Sequence, residues 1–207
     1  DRYPHILEEL LAEEIVFVHE KVEGMNMAVT YLPDKTYTVA QRNFYIQSQD
    51  PENPHSFEKL AMNKVIPVLK AFAEDPGWVG KQIRFRAEFT GPGSQGNYYG
   101  LLDQYAFGFE MDIDGKPMDA IELQGLRDFN PIIGSCLEHV PLIFKGKLSD
   151  FLAGRTVQEA SNGQSLLNPK LLREGIVIRP SRERNIPGFG RLILKQRSPQ
   201  YLAKTDF

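Results

Sequence analysis

Apolar and polar residues alternate with a period of two along much of the chain, which predicts β-strands because successive strand side chains point to opposite faces. The clearest case is residues 82–89, where Ile83, Phe85, Ala87 and Phe89 alternate with polar residues. Apolar, β-branched and aromatic runs predict further strands. They cover residues 15–18, 25–32, 37–41, 105–112, 118–123, 174–179 and 191–195.

Helical spacing of apolar residues is confined to a few segments. One helix is expected to begin at Ser56, with Pro67 kinking or splitting it because proline lacks a backbone N–H. A second helix is predicted at residues 148–161 and a short acidic one at 7–14. Strands outnumber helices, so the predicted fold class is α+β, rich in antiparallel sheet with flanking helices.

Composition narrows the class of protein. The chain has 207 residues, of which 42% are hydrophobic and 25% charged, as in ordinary globular domains. A single cysteine, Cys136, excludes an internal disulfide and a Cys-rich zinc site. No apolar run is long enough for a membrane helix, and residues 1–5 lack a signal-peptide pattern. We therefore expect one domain over residues 1–207, no membrane association and a cytoplasmic location.

The net charge of −3 argues against a nucleic-acid-binding protein, but the charge is unevenly distributed. From Lys170 onward, nine basic residues stand against three acidic ones, which gives this segment +6 and the preceding 169 residues −9. A basic segment that flanks apolar strands suits a polyanion such as phosphate or nucleic acid. A solvated strand face without a ligand fits the charge pattern equally well.

Residues 20–26, Glu-Lys-Val-Glu-Gly-Met-Asn, are the first candidate for chemistry. They place Lys21 where a strand meets a loop, and Gly24 permits close approach of a ligand to the backbone. A lysine attacks only after its amine loses a proton, which desolvation or neighbouring cations favour. Without further context, an ordinary exposed turn lysine beside Glu20 and Glu23 is the better interpretation of Lys21.

Four later features carry charged or aromatic side chains on predicted strands. Glu88 could accept hydrogen bonds from ribose, or it could simply face solvent. The aromatic residues of 105–111 could stack on a purine or form part of the core. Glu174 precedes an apolar strand, and Lys195 and Arg197 are two residues apart, so both point to one face.

The order of these features closely resembles that of the covalent nucleotidyltransferases, which include polynucleotide ligases and mRNA capping guanylyltransferases. The motif at residues 20–26 is most similar to that of the ATP-dependent RNA ligases related to bacteriophage T4 RNA ligase 2. The resemblance covers about residues 3–200. It implies an antiparallel-sheet-rich, ATP-grasp-like ligase adenylation domain.

The resemblance also implies roles for individual residues. Lys21 would attack the α-phosphate of ATP and carry AMP as a lysyl phosphoramidate, while Lys195 and Arg197 would neutralise the transferring phosphates. Glu174 would help to bind Mg²⁺ or Mn²⁺. The remaining predicted nucleotide-binding residues are Glu20 at the adenine, Gly24, Asn26 on the phosphate side, Arg42 at the ribose or terminal RNA nucleotide, Glu88 at the ribose, and Phe109, or alternatively Phe107, stacked on adenine.

The function implied is an ATP-dependent RNA ligase that joins 3′-hydroxyl and 5′-phosphate ends through lysyl–AMP and adenylated RNA, as in RNA repair. The partners would be ATP and RNA ends, a nicked duplex among them. The sequence departs from the family pattern at Glu23, Met25 and Arg197. A capping-type guanylyltransferase, a DNA ligase core and a non-catalytic nucleotide- or RNA-binding module are the alternatives.

Ligases of this superfamily usually add a second domain that orients the nucleic acid. Only about ten residues follow Arg197 in this sequence. We therefore expect either an excised catalytic domain or a minimal protein that relies on an accessory domain or protein partner.

Overall fold

The computed structural model describes residues 4–50, 52–129 and 137–205, so that Cys136 lies outside the described residues. The helices are α1 Pro4–Leu11, α2 Ser56–Leu60, α3 Ile66–Ala73, α4 Ala120–Phe129, α5 Leu148–Leu152, α6 Val157–Ala160 and α7 Pro199–Thr205, with a π-helical turn at Ala61–Val65. The strands are β1 Val16–Glu20, β2 Met25–Tyr31, β3 Tyr37–Gln41, β4 Phe44–Ile46, β5 Ile83–Thr90, β6 Tyr105–Ile113, β7 Lys116–Pro117, β8 Leu142–Gly146, β9 Gly175–Pro180, β10 Asn185–Ile186, β11 Gly190–Arg191 and β12 Leu194–Arg197.

The chain divides into two compact units. Unit 1 comprises Asp1–Val22, Asp119–Ile121 and Val140–Phe207, and unit 2 comprises Glu23–Met118 and Glu122–His139. All the strand pairs within the named sheets are antiparallel. The predicted α+β class with antiparallel sheet is confirmed.

Unit 1 is built on a four-stranded sheet in the order β12-β9-β1-β8, and β10 and β11 form a separate two-stranded ribbon. Every residue of β1 is buried, since this strand lies inside the sheet and packs on both faces. Its core joins Val16 and Val18 with Ile6 and Leu10 of α1 and Leu148 of α5.

Unit 2 holds a six-stranded sheet in the order β4-β3-β2-β5-β6-β7. The predicted alternation of apolar and polar residues along β2 and β5 gives this sheet one apolar face and one polar face. Met27, Val29, Phe85 and Phe89 share one face and pack with residues of α2 and α3, while the polar residues of β2 and β5 share the other face. The rings of Phe57 and Phe89 lie 4.4 Å apart at the centre of this core.

The helical segment that begins at Ser56 is interrupted, as predicted from Pro67. A π-helical turn precedes α3, and Pro67 lies in the first turn of α3. Backbone N–H groups in the first turn of a helix have no hydrogen-bond partner within the helix, so the missing N–H of proline costs no hydrogen bond there. The expected apolar side chains of this segment are buried. They are Phe57, Leu60, Ala61, Val65, Val68, Leu69 and Phe72.

Three local predictions are wrong. The strand predicted at residues 191–195 is divided into β11, which ends at Arg191, and β12, which begins at Leu194. Residues 118–123 do not form a strand, because β7 ends at Pro117 and α4 begins at Ala120. The single helix predicted at residues 148–161 is divided into α5 and α6. Ala153 and Gly154 have left-handed φ angles of 47° and 80°, which end α5.

Within the described residues, no helix combines the length and apolar character required to cross a membrane.

Candidate functional site

Lys21 follows directly on β1 in unit 1, and its backbone N–H donates to the carbonyl of Gly175 at 2.9 Å. Its Nζ lies 2.6 Å from Oε1 of Glu174, the residue just before β9. Arg197 at the end of β12 places Nε 3.5 Å from the same oxygen. Strand pairing thus brings together three of the predicted site residues, with one carboxylate oxygen between two cations.

The close approach of β9 and β12 depends on Gly175. A Cβ at this position would lie 2.0 Å from the carbonyl oxygen of Gln196, a separation that no side chain can adopt. The register sets Arg197 opposite Gly175 and Lys195 opposite Val177. Lys195 and Arg197 are two residues apart on β12, where successive side chains point to opposite faces. Their side chains therefore lie on the same face, in agreement with the prediction.

The three charged groups differ in access to solvent. The Glu174 side chain is 10% exposed, that of Lys21 26% and that of Arg197 52%, and Lys195 is exposed. The ammonium group of Lys21 is thus accessible but paired with an anion rather than surrounded by cations. To act as a nucleophile it must lose a proton and exchange the carboxylate for a phosphate partner.

Glu174 is the predicted metal-binding residue. Magnesium and manganese take oxygen ligands, and magnesium is often held by one or two carboxylates together with substrate phosphates and water. Among the residues described in the structure, no group of three or more His, Cys, Asp or Glu side chains is arranged to hold a metal. One carboxylate is compatible with a metal that phosphate and water also coordinate, and the role of Glu174 as a ligand stays a prediction.

Glu20, beside the nucleophile candidate, is 1% exposed. Its Oε2 accepts a hydrogen bond from the backbone N–H of Leu166 at 2.7 Å. Burial raises the pKa of the Glu20 carboxyl, although hydrogen bonds from Ser165 and Leu166 and the charge of Arg173 act in the opposite direction. The predicted adenine-binding role of this side chain stays a prediction, but its described partners are all groups of unit 1.

Arg173 completes this buried network. Its guanidinium donates to the carbonyls of Ala160, Ser161 and Asn162 at the end of α6. Burial lowers the pKa of Arg173 and the nearby carboxylate of Glu20 raises it. Glu20 and Arg173 thus hold the chain next to Lys21 and Glu174 in place.

Unit 2 places a second set of predicted residues side by side on the polar face of its sheet. Asn26 of β2 pairs with Glu88 of β5, and Glu88 pairs with Phe107 of β6. Directly paired residues of antiparallel strands point to the same face. The register shifts between Arg86 and Ala87, which leaves Phe109 unmatched at a bulge, where it is partly buried.

The structure explains Gly24 without a ligand. A Cβ at residue 24 would lie 2.6 Å from the carbonyl oxygen of Phe89. The close approach of β5 to the backbone of Gly24 therefore accounts for a glycine at this position. Arg42 is the first residue of the two-residue turn between β3 and β4, with a left-handed φ of 50°. Its side chain is exposed.

Three further residues lie around the motif. The buried hydroxyl of Tyr99 accepts a hydrogen bond from the backbone N–H of Glu23 at 2.8 Å, and Arg173 orders the segment before Glu174. His19 pairs with Val177, which pairs with Lys195, so His19 shares a sheet face with Lys195. His19 adjoins the motif in the sequence, and strand alternation predicts a structural role for it, whereas no local signal marks Tyr99.

The fold matches solved structures of an RNA ligase from Naegleria gruberi. A mutant with ATP and Mn has a TM-score of 0.74 at 24% identity, over 98% of this chain and 55% of that one. A mutant with AMP and Mn gives 0.75 at 24% identity, over 98% and 55%. The ligase with PPi gives 0.71 at 23% identity, over 98% and 54%. These likenesses show a shared fold, and this chain spans about half the length of those proteins.

The RNA ligase family profile matches residues 14–197, a span that contains every predicted site residue. The chain therefore belongs to the RNA ligase family. None of the curated proteins compared with it matches the sequence.

Proposed function

We propose that this protein is an ATP-dependent RNA ligase that joins 3′-hydroxyl to 5′-phosphate ends through a covalent lysyl–AMP intermediate. Family membership supports the class of reaction. The observation that carries the mechanism is the group in unit 1 where Lys21 and Arg197 share one oxygen of Glu174. It combines an accessible amine with a cation that can bind phosphate.

In the first step, Nζ of Lys21 forms a bond to the α-phosphorus of ATP, and the bond from that phosphorus to pyrophosphate breaks. The amine loses a proton in the process. Arg197 and Lys195, on one face of β12, would stabilise negative charge on the transferring phosphate. Glu174 would hold the divalent cation, which supplies further charge neutralisation when bound.

The second and third steps use RNA. An oxygen of the RNA 5′-phosphate attacks the AMP phosphorus and releases Lys21, which gives RNA capped by a 5′–5′ pyrophosphate. The 3′-hydroxyl of the other end then attacks the RNA phosphate, loses its proton and displaces AMP. Each step is a nucleophilic substitution at phosphorus, for which positioning and charge stabilisation contribute most.

Within unit 2, the face shared by Asn26, Glu88 and Phe107 suits a nucleoside. We assign Asn26 to the phosphate side, Glu88 to the ribose hydroxyls and an aromatic ring of β6 to the adenine. The register favours Phe107 over Phe109 for stacking, because Phe107 is the ring paired with Glu88. Arg42 would contact the ribose or the terminal RNA nucleotide.

Incubation with α-labelled ATP and Mg²⁺ tests the first step. We expect an acid-labile protein label that Lys21→Ala and Lys21→Arg both reduce to background, since guanidinium cannot replace the amine as a nucleophile. Lys70→Ala, which removes an exposed lysine from α3, is the matched control and should label like the wild type.

Equal labelling of the wild-type and Lys21→Ala proteins would contradict the proposal. Labelling of the protein by GTP instead of ATP would show that it catalyses a guanylyltransferase reaction. Sealing of matched RNA and DNA 3′-hydroxyl strands then establishes which polynucleotide the labelled enzyme joins.

A further inference from the structure

Tyr201 of α7 lies four residues beyond Arg197, the last residue of β12, and it takes no part in the adenylylation proposed above. Its side chain is buried. The guanidinium carbon of Arg197 lies 5.7 Å from the centre of the Tyr201 ring, which is within the range of a cation–π contact. Arg197 therefore has an aromatic partner in addition to the carboxylate of Glu174.

Ser198, between β12 and α7, determines where this ring lies. Its backbone N–H donates to the carbonyl of Glu174 at 2.8 Å, and its Oγ accepts a hydrogen bond from the backbone N–H of Tyr201 at 3.2 Å. A serine just before a helix commonly accepts such a bond from the first turn. This buried residue thus joins the backbone of Glu174 to the helix that carries the ring.

Asn162, which follows α6, supports the same helix start. Its Oδ1 accepts hydrogen bonds from Oγ of Ser198 at 2.8 Å and from the backbone N–H of Gln200 at 3.2 Å. Its backbone carbonyl accepts another from the guanidinium of Arg173, in the network that precedes Glu174. These bonds hold the first turn of α7 against the strand ends, and they hold the Tyr201 ring beside Arg197.

Arg197 itself is held on two sides and open to solvent elsewhere. Its Nε lies 3.5 Å from Oε1 of Glu174, the Tyr201 ring is its second contact, and its side chain remains 52% exposed. A guanidinium over an aromatic ring keeps N–H donors available for phosphate oxygens. Arg197 is a departure from the family pattern, and the ring gives a physical reason for it, since guanidinium stacks on aromatic faces.

We propose that Tyr201 is a positioning residue, whose ring holds the guanidinium of Arg197 beside Glu174 in the orientation that meets a phosphate of ATP. The identity of that phosphate rests on the proposed function. Tyr201 acts through Arg197 alone, so that the ring contributes nothing to adenylylation once the guanidinium is removed.

The test measures the single-turnover rate constant for labelling of the full chain by α-labelled ATP and Mg²⁺. We expect Tyr201→Leu to lower this rate constant at saturating ATP by about two- to fivefold, the size of an exposed cation–π contact. Tyr201→Phe keeps an aromatic ring and should react at close to the wild-type rate.

A double-mutant cycle separates positioning from a purely structural role. In an Arg197→Ala background, Tyr201→Leu should leave the rate constant unchanged, because the ring has no guanidinium to hold. An equal fall in both backgrounds would overturn the proposal. So would a Tyr201→Leu protein that reacts at the wild-type rate constant but with a smaller labelled fraction, since that result reports lost folded protein.

Phe151 of α5 offers a matched control in the same unit. The guanidinium carbon of Arg155 lies 5.9 Å from the centre of its ring, so Phe151→Leu also removes the aromatic half of an arginine–aromatic pair. This variant should label at the wild-type rate, and thermal unfolding of each variant measures stability separately. Equal slowing by Phe151→Leu and Tyr201→Leu would overturn a specific role for Tyr201.

The contact itself can be tested without ATP. The Nε–H resonance of Arg197 in ¹⁵N-labelled protein is assigned by its loss in Arg197→Lys. It should move in Tyr201→Leu, which removes the ring current, and stay near its place in Tyr201→Phe. Labelling by ATP with an unmoved resonance refutes the role of Tyr201 alone, whereas absence of labelling in the wild type refutes the proposed function.

Discussion

Lys21 and Glu20 are neighbours in the chain, but their side chains have different surroundings. Lys21 is partly exposed and paired with Glu174, whereas Glu20 is buried and bound to the backbone of Leu166. The alternation at the end of β1 accounts for this difference. At the residue scale, Lys21 supplies the amine of the proposed nucleophile. The buried contacts of Glu20 hold the adjacent backbone in place.

The raised pKa of Glu20 predicts how stability depends on pH. The folded protein keeps a proton on Glu20 at pH values where the unfolded chain, with a pKa near 4.5, has lost it. Stability therefore falls as pH rises from about 4.5 through the raised folded pKa. Glu20→Gln cannot titrate, so its stability relative to the wild type should increase with pH in urea unfolding between pH 4 and 8.

Glu159 provides a control of opposite sign. Hydrogen bonds from Thr156 lower the pKa of this exposed carboxyl, so its contribution is present above pH 4.5 and is lost as pH falls through the lowered value. Glu159→Gln should therefore be less stable than the wild type at neutral pH and approach it in acid. A pH-independent difference between Glu20→Gln and the wild type would contradict the prediction.

At the scale of elements, close strand contacts position the charged groups. The pairing of β9 with β12 determines where Arg197 lies relative to Glu174, and Gly175 permits that pairing. The pairing of β2 with β5 similarly requires the close approach at Gly24. In both cases glycine is needed because another strand occupies the space of a side chain.

Gly175→Ala tests this dependence. The new methyl group cannot coexist with the carbonyl of Gln196, so β9 and β12 must separate locally. We expect destabilisation of about 1–3 kcal/mol, as for overpacked cores, together with reduced labelling by ATP. Thermal unfolding and the labelling assay measure the two effects.

Gly125→Ala in α4 is the matched glycine control, because nothing lies within 4 Å of its Cβ position. Alanine favours a helix over glycine by about 0.5–1 kcal/mol, so this variant should be slightly stabilised and label normally. Normal labelling and stability of Gly175→Ala would show that the strand contact is not needed.

At the scale of the whole molecule, the basic segment from Lys170 onward is not one uniform surface. Arg184 pairs with Glu9 and Glu13, and Arg191 pairs with Glu183. Glu183 is already counted in the +6, so it is the pairing of Arg184 with Glu9 and Glu13 that offsets part of this charge within unit 1. The exposed cations Lys195 and Arg197 remain suited to phosphate.

Salt should weaken RNA binding despite the net charge of −3, because local cations displace counterions from the RNA. We expect the logarithm of the binding constant to fall linearly with the logarithm of salt concentration. Lys195→Ala should reduce that slope by roughly one unit or less, and Lys70→Ala should leave it unchanged. Affinity that does not vary with salt would contradict an electrostatic contribution.

The sequence predicted the strands best where alternation was long, as in β5 and β6. It failed at residues 118–123 and 148–161, where short apolar stretches fit both strands and helices and where Ala153 adopts a left-handed conformation. It also gave no indication of β8, a short strand whose place is determined by pairing with β1.

The sequence by itself determined the fold class, the family resemblance and the order of Lys21, Glu88, Glu174 and Lys195, because these depend on local period and motif. Tertiary structure alone decided that Glu174 contacts Lys21, that Glu20 is buried, and that Asn26, Glu88 and Phe107 lie side by side on one sheet face. These contacts depend on the register between strands far apart in the chain. Register is set by packing and pairing over the whole sheet, which no local pattern specifies.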